Sequence, residues 1–284
     1  MPAITISFIV INTIGTGLGT FVNLFLCYVA IFHSPPIIKT YSIVIINTTL
    51  TNIGVFGAYL HFHTYALWLI FLSFAYRYYV MIQKEPSRRA LQLSIFLIYI
   101  PSMTQFLAMM FQEMDLIEVR ESLNSKFPQY NLTGLTVTGA VDIITFAPMY
   151  TLIHMTIISI PLAIGIQILR RKIIAVLVLK GVDLTTRSRN LHAQLLRTLT
   201  FQATVPLIYF LDVFFFFLTH IWSHPILEFS IIIPSLFVPI LTPLSSLYYV
   251  TPYRNFVRKL LIRVRPKLQT VGSRSILQVT SLVD

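Results

Sequence analysis

The side chains that could support catalysis or metal binding are few and widely separated in this chain of 284 residues. The single cysteine, Cys27, lies inside an apolar run, so the sequence predicts neither an intramolecular disulfide nor a cysteine metal site. The spacings of His61 with His63 and of His220 with His224 could hold a metal from one side of a helix or turn. Histidines at a membrane interface, however, usually need no ion to explain them. With no glycine-rich phosphate loop and no serine, histidine and carboxylate set, we expect no metal, no cofactor and no enzyme.

The acidic residue that lies well inside an apolar run is Asp212. Burying its charge in hydrocarbon costs about 3 kcal/mol or more unless it is paired, protonated or hydrated, so it is a candidate functional group. Helical spacing places Tyr209 and Phe216 on the same face. These three residues are therefore predicted to contact a polar or cationic ligand in the outer half of a bundle. The alternative is a hydrogen bond between helices that has only a structural role.

Prolines form a second group of candidate functional residues, because a proline inside a membrane helix frees a backbone carbonyl and bends the helix. Pro206, Pro239 and Pro243 lie in the last two apolar runs and are predicted to be switch hinges. Static kinks are the alternative.

Membrane helices are the elements that must position these residues. Hydrophobic residues make up 56% of the chain and charged residues 11%, with a mean hydropathy of +0.77, which is more apolar than a soluble chain of this length could bury. A bilayer core of about 30 Å requires roughly 20 helical residues per span. The predicted fold is all-α, a polytopic membrane protein with a seven-transmembrane helix bundle, whose spans are residues 4–32, 41–59, 64–82, 91–112, 149–169, 199–222 and 226–250.

The distribution of charge predicts the orientation of these spans. Basic residues concentrate in alternate polar intervals, around Lys39, between Lys84 and Arg89, and from Arg170 to Arg197, whereas the loop after the fourth run is acidic. Because cytoplasmic loops retain Lys and Arg, the amino end is predicted outside and the carboxyl end in the cytoplasm. The acidic loop also contains Asn131 in a glycosylation acceptor pattern, which agrees with an outer location.

The segment after the last span is predicted to contact membrane lipid. Residues 251–265 place apolar side chains on one helical face and basic side chains on the other, as in an amphipathic helix on the inner membrane surface. Residues 266–284 have no strong period and are predicted to be a flexible cytoplasmic tail. Basic charge beside seven spans indicates a membrane, and no motif indicates nucleic acid.

The least regular region is 41–82, which has no clear polar interruption and is barely long enough for two spans. Basic residues at both of its ends require an even number of crossings, so we expect a tight outer turn near His61 to Thr64. The second span must then accommodate five polar side chains, which are expected to satisfy one another or neighbouring helices: Asn47, Thr48, Thr49, Thr51 and Asn52.

Four segments resemble the nematode serpentine chemoreceptors, most closely the class delta (Srd) family: the start of the second run after Lys39, SFAYRYY from Ser73 to Tyr79, residues 192–202, and residues 243–254. The resemblance implies a G-protein-coupled receptor, distantly rhodopsin-like, that detects environmental chemicals in the plasma membrane of sensory neurons. Its partners would be a small-molecule ligand and a heterotrimeric G protein.

The resemblance also suggests a role for Arg77, which lies at the inner end of the third span between Tyr76 and Tyr78. Rhodopsin-like receptors hold an arginine there that interacts with the sixth helix or the G protein, so these three residues are predicted to couple to the G protein. The alternative is an interfacial anchor that obeys the positive-inside rule.

Two features depart from the family pattern. The outer connection between the second and third spans is short, and no cysteine lies near the top of the third. The chain is either a divergent member or one that lacks a segment between roughly Ala58 and His63. Other possible functions are a secondary transporter or channel, which the odd number of spans and the lack of a visible repeat disfavour, and a degenerate receptor relative that does not signal.

Overall fold

The structure is a computed structural model that describes residues 2–57, 59–112, 115–126, 128, 141–142, 144–179, 186–222, 224–231 and 233–262. Within these ranges the regular elements are all helical. The α-helices are α1 (Pro2–Phe32), α2 (Ser42–Gly57), α3 (Tyr59–Ile82), α4 (Arg88–Met110), α5 (Leu116–Lys126), α6 (Phe146–Thr156), α7 (Ser159–Leu179), α8 (Thr186–Gln202), α9 (Val205–Ile221), α10 (Pro225–Ser230), α11 (Ile233–Tyr249) and α12 (251–262).

Five helical segments in the described ranges are long and apolar enough to cross a membrane: Ile6–Phe32, Thr64–Ile82, Arg88–Met110, Phe146–Leu177 and Ala193–Thr219. Two shorter apolar helices, Ser42–Gly54 and Leu236–Tyr249, accompany them. Large apolar side chains also cover the outer surface of α1, including Phe21 and Ile14, which are 69% and 64% exposed. A surface of this kind suits a lipid solvent, because water would not stabilise it.

The helices alternate in direction, as the contacts between them show. Asn52 of α2 contacts Asn23 in the middle of α1, while Tyr41 before α2 shares a cluster with Leu26 and Val29 near the end of α1, so α1 and α2 are antiparallel. α3 returns antiparallel to α2. α7 runs parallel to α3, and α11 runs parallel to α1. We call the end that holds Lys39, Arg77 and α12 the inner end, and the opposite end the outer end.

The α2–α3 pair differs from the expected hairpin in the position of its turn. Residues 61–64, expected to form an outer turn, lie inside α3, which begins at Tyr59. α2 ends at Gly57 after 16 residues, about 24 Å of helix, so the chain reverses earlier than the hydropathy pattern indicates. Gly54 permits the close packing here, because a Cβ at this position would lie 2.6 Å from Cε2 of Phe62.

Two spans consist of two helices each. A turn at residues 157–158 separates α6 from α7, and a turn at 203–204 separates α8 from α9. Pro161 and Pro206 follow these turns closely and cannot donate a backbone hydrogen bond to the preceding turn of helix. α7 continues to Leu179, so the apolar segment after Arg170 extends the same helix.

α12 packs on the inner end of α1. Tyr253 is fully buried, and the ring of Phe256 stacks on His33 with centroids 3.9 Å apart. Arg258 and Leu261 are exposed. Residues 251–262 of the predicted segment 251–265 are therefore helical, and their position on the membrane surface stays a prediction; residues 263–284, which include the predicted tail, lie outside the described residues.

Candidate functional site

The inner end of α3 holds a buried guanidinium on an aromatic face. Arg77 is only 5% exposed, and its Cζ lies 3.7 Å from the ring centroid of Tyr41 and 6.0 Å from that of Tyr76. The two tyrosine rings stack with centroids 5.4 Å apart and an angle of 25° between their planes. Because the negative face of an aromatic ring attracts a cation, Tyr41 stabilises the charge of Arg77 by a cation–π interaction.

Hydrogen bonding leaves part of this guanidinium unsatisfied. Nε and Nη2 of Arg77 are buried and have no hydrogen-bond partner among the described residues. The nearby acid, Glu85, instead accepts a hydrogen bond of 3.0 Å from the hydroxyl of Tyr76. Burying polar N–H groups without partners costs free energy. Arg77 therefore retains donor capacity that the described contacts do not use.

A second tyrosine connects α12 to the same cluster. The Oγ of Ser34 donates to the carbonyl of Ala30 at 2.7 Å, so the hydroxyl of Tyr253, 2.8 Å away, donates to Ser34. Burial raises the pKa of Tyr253, which keeps this hydroxyl protonated. The backbone N–H of Thr251 donates to Oε1 of Gln194 in α8. The inner ends of α1, α2, α3, α8 and α12 thus meet around one group of buried tyrosines, which we call the tyrosine cluster: Tyr41, Tyr76 and Tyr253.

The predicted coupling residues are therefore only partly brought together. Tyr76 and Arg77 share the tyrosine cluster, but Tyr78 packs against a different core cluster with Phe74 and Ile166. Its ring faces α7, where Nζ of Lys172 lies 5.6 Å from the ring centroid.

Two of the residues predicted to bind ligand differ in their burial. Asp212 is buried at 6% exposure, whereas Phe216 is 36% exposed on the surface of α9. The side chain of Tyr209 and the acceptor Asn131 lie outside the part of the chain that the structure describes.

The three predicted hinge prolines have different surroundings. Pro206 follows the turn at 203–204, the one position of the three where the helix is interrupted. Pro239 and Pro243 lie within the continuous helix α11. The carbonyl of Pro239 accepts a hydrogen bond of 2.7 Å from Nδ2 of Asn23, so α11 is tied to α1 at this point.

The sequence matches the family model described as "Serpentine type 7TM GPCR chemoreceptor Srd" over residues 8–56 and 53–259. The chain belongs to this family. It is 32% identical over 285 residues to serpentine receptor class delta-18 of Caenorhabditis elegans, with 85% of each chain covered. Serpentine receptor class delta-19 of the same organism is 30% identical over 288 residues, with 86% of this chain and 85% of the relative covered. The resemblance, the all-α seven-transmembrane fold and the multi-pass membrane location are confirmed.

The Srd chain contains a buried polar network near its outer end that sequence reasoning missed. Nε1 of Trp68 donates to Nε2 of His154 at 3.1 Å, and Nδ1 of His154 lies 2.8 Å from Oε1 of Gln105. Since an indole N–H can only donate, Nε2 accepts, and the hydrogen on the neutral ring lies on Nδ1 and is donated to Gln105. Thr64 also donates to Gln105, at 3.1 Å. The network ties α3, α4 and α6 together.

A second polar junction lies at the middle of the Srd bundle. Asn23, fully buried in α1, accepts from Nδ2 of Asn52 at 3.1 Å while it donates to Pro239. The other polar residues of α2 bond to their own helix, and Asn47 donates to the hydroxyl of Tyr65 at 2.8 Å. The prediction that these polar groups satisfy one another or neighbouring helices is confirmed for Asn47 and Asn52. It is wrong for Thr48, Thr49 and Thr51, because each hydroxyl bonds to a backbone carbonyl of its own helix.

Beside this junction the receptor interior contains a small polar cavity of about 20 Å³. Its volume suits about one water molecule. The polar part of its lining comes from α2, α3, α8 and α11: Thr48, Thr49, Asn52, Ser73, Thr198, Gln202, Thr242 and Ser246. Pro243 also lines it, so one predicted hinge borders a site that can take up water.

Proposed function

We propose that this chain is a chemosensory receptor that binds an environmental small molecule in the outer half of its bundle and signals to a cytoplasmic G protein. The observation that supports coupling is Arg77, which is buried at the inner end and has two donor nitrogens, Nε and Nη2, that lack partners in the described residues. A guanidinium of this kind has unused capacity to hydrogen-bond the carbonyl or carboxylate acceptors of a partner.

The proposed resting state is the arrangement seen here, with Arg77 stacked on Tyr41. Ligand binding would favour a second helix arrangement in which the inner end of the sixth span moves and Arg77 leaves the ring. The interruption at 203–204 before Pro206 supports a hinge at this position, because few hydrogen bonds need to change there. Asp212 would contact a polar or cationic group of the ligand, with Tyr209 and Phe216 nearby.

The experiment that tests coupling replaces Arg77 by Ala and by Lys and measures ligand-dependent or basal G-protein activation at equal surface expression. Both variants should lose most of the G-protein activation. Ala removes the guanidinium, and Lys keeps the positive charge but lacks the planar set of several hydrogen-bond donors. Arg89→Ala is the matched control, since Arg89 is an exposed arginine at the inner end of α4. If Arg77→Lys couples normally, Arg77 is an interfacial anchor and the coupling role is wrong.

The proposed location is the plasma membrane of sensory neurons, with the amino end outside and the carboxyl end in the cytoplasm. The acceptor pattern at Asn131 supports this orientation. Asn131→Gln should abolish a glycosidase-sensitive mass shift, and epitope tags at the two ends should be accessible from opposite faces of intact cells. Tags accessible from the same face would rule out an odd number of crossings.

A second candidate is a receptor relative that does not signal because a segment near the second and third spans is missing. The observation in its favour is that the family match falls in two parts that meet at residues 53–56, near the end of the short helix α2. The transcript sequence across the codons for Ala58 to His63 tests it. A transcript that encodes an additional outer segment would support it, and an uninterrupted match to the present sequence would favour a divergent receptor.

A further inference from the structure

A groove of about 340 Å³ lies between the fifth and sixth spans, apart from the residues assigned above to ligand binding and G-protein coupling. One wall of the groove is formed by α7, and the opposite wall is formed by the chain around and after the turn at 203–204. Two small residues, Ala163 and Ala203, leave the space between the helices, and Phe210 forms part of the wall. Ile164 and Leu207 in its lining are 56% and 66% exposed, so the groove opens to the surface that faces lipid.

The groove is apolar along most of its length and polar at one end. Gln167 and Arg171 are its polar lining residues on α7. The amide Nε2 of Gln167 donates to the carbonyl of Ala203 at 3.3 Å, so this side chain already has a partner. Arg171 is exposed and lies two turns nearer the inner end than Ala163, about 12 Å along the helix. The cationic side chain of Arg171 therefore lies at the inner end of the apolar groove.

The membrane restricts what can occupy this space. The apolar part of the groove does not hold ordered water, because too few polar groups are available to hydrogen-bond it. If the groove were empty, its lining side chains would lose van der Waals contacts. An acyl chain from the surrounding bilayer is the occupant that satisfies the apolar section. The headgroup of the same lipid would then lie at the inner mouth, beside three consecutive basic residues: Arg170, Arg171 and Lys172.

We propose that this groove is a binding site for an acidic phospholipid of the inner leaflet, with an acyl chain between α7 and α9 and its anionic headgroup paired with Arg171. Charge complementarity selects the acidic lipid, since a zwitterionic headgroup would place a positive group near the same basic cluster. Lys172 is directed toward the ring of Tyr78 and Arg171 toward the groove, so Arg171 is the residue expected to give selectivity. The site borders the turn at 203–204, and its existence does not depend on the receptor signalling.

The test uses the full chain purified in detergent and native mass spectrometry with phosphatidylserine and phosphatidylcholine of identical acyl chains. The wild type should retain one phosphatidylserine more tightly than phosphatidylcholine. Arg171→Gln should lower this preference roughly fivefold, the effect of one basic group at a membrane surface. Ala163→Phe should remove the tightly bound lipid, because the new ring would occupy the groove.

The matched control is Arg89→Gln, which removes an exposed inner arginine away from the groove and should leave the preference unchanged. An equal loss in Arg171→Gln and Arg89→Gln would mean that diffuse surface charge attracts the lipid, and the site would be rejected. Equal retention of the two lipids by the wild type would reject it as well. Arg171 and Arg89 are both exposed, so these two variants decide the question even if Ala163→Phe does not fold.

Discussion

Replacing Tyr41 by Leu should raise the basal activity of the receptor. The substitution keeps an apolar side chain in the core but removes the ring face that lies 3.7 Å from Cζ of Arg77. A cation–π interaction contributes up to about 2 kcal/mol when the cation is desolvated, and Arg77 is only 5% exposed. If the stack exists only in the resting arrangement, its loss shifts the resting-to-active ratio by up to roughly 30-fold, since about 1.4 kcal/mol corresponds to a factor of ten.

The assay is nucleotide exchange on a purified G protein with the reconstituted receptor and no ligand. Tyr41→Phe should remain closer to the wild type than Tyr41→Leu, because it keeps the ring and loses only the hydroxyl that interacts with Arg77. Tyr79→Leu should remain close to the wild type because Tyr79 is 48% exposed. The melting temperature of Tyr41→Leu should also fall by several degrees. If both variants are folded and their basal nucleotide exchange is equal, the proposal that this stack keeps the receptor in its resting arrangement is refuted.

Three further predictions concern packing, and thermal unfolding in detergent measures each of them. Asn23→Ala removes two interhelical hydrogen bonds and should lower the free energy of unfolding by about 1–3 kcal/mol. A double-mutant cycle with Asn52→Ala should give a coupling energy of about 0.6 kcal/mol or more. Additive effects of the two substitutions would contradict the Asn52–Asn23 hydrogen bond. Gly165→Ala would place a Cβ 2.8 Å from a phenylalanine ring of α3 and should destabilise by about 1–3 kcal/mol, whereas Gly17→Ala, with nothing within 4 Å, should be neutral or stabilising; similar melting temperatures would show that the ring moves freely. His154→Ala should cost about 1–3 kcal/mol, because it leaves the indole N–H of Trp68 without its partner and removes one of the hydrogen bonds to Gln105; an unchanged melting temperature would contradict the network.

The polar residues of the second span show what could be predicted. A threonine in an apolar helix can bond to its own backbone, so the behaviour of Thr48 and Thr51 follows from local geometry. The partner of Asn52 could not be predicted, because Asn23 lies in another apolar run and nothing in its neighbours sets it apart. His154 was missed for the same reason, although a histidine within an apolar run is itself a signal that a buried polar partner is required.

The position of the turn between α2 and α3 illustrates a different difficulty. Hydropathy is nearly continuous across residues 41–82, so it contains no polar signal for a reversal. α2 ends at Gly57, and the absence of a side chain at Gly54 lets Phe62 of α3 pack closely against it, a contact that hydropathy does not encode.

The sequence by itself determined the family, through the segments that resemble it. It also determined the membrane location and the helical class, because every backbone hydrogen bond of a spanning helix is local and the bilayer sets the length of the helix. Tertiary structure alone decided that Arg77 rests on Tyr41, that Tyr78 faces another helix, and that a groove opens beside Arg171. The physical reason is that the lipid and the interior of the helix bundle are both apolar. The pattern of side chains along a helix therefore does not specify which face contacts a neighbouring helix. Only close packing between helices makes that choice, and it brought together residues that are far apart in the chain.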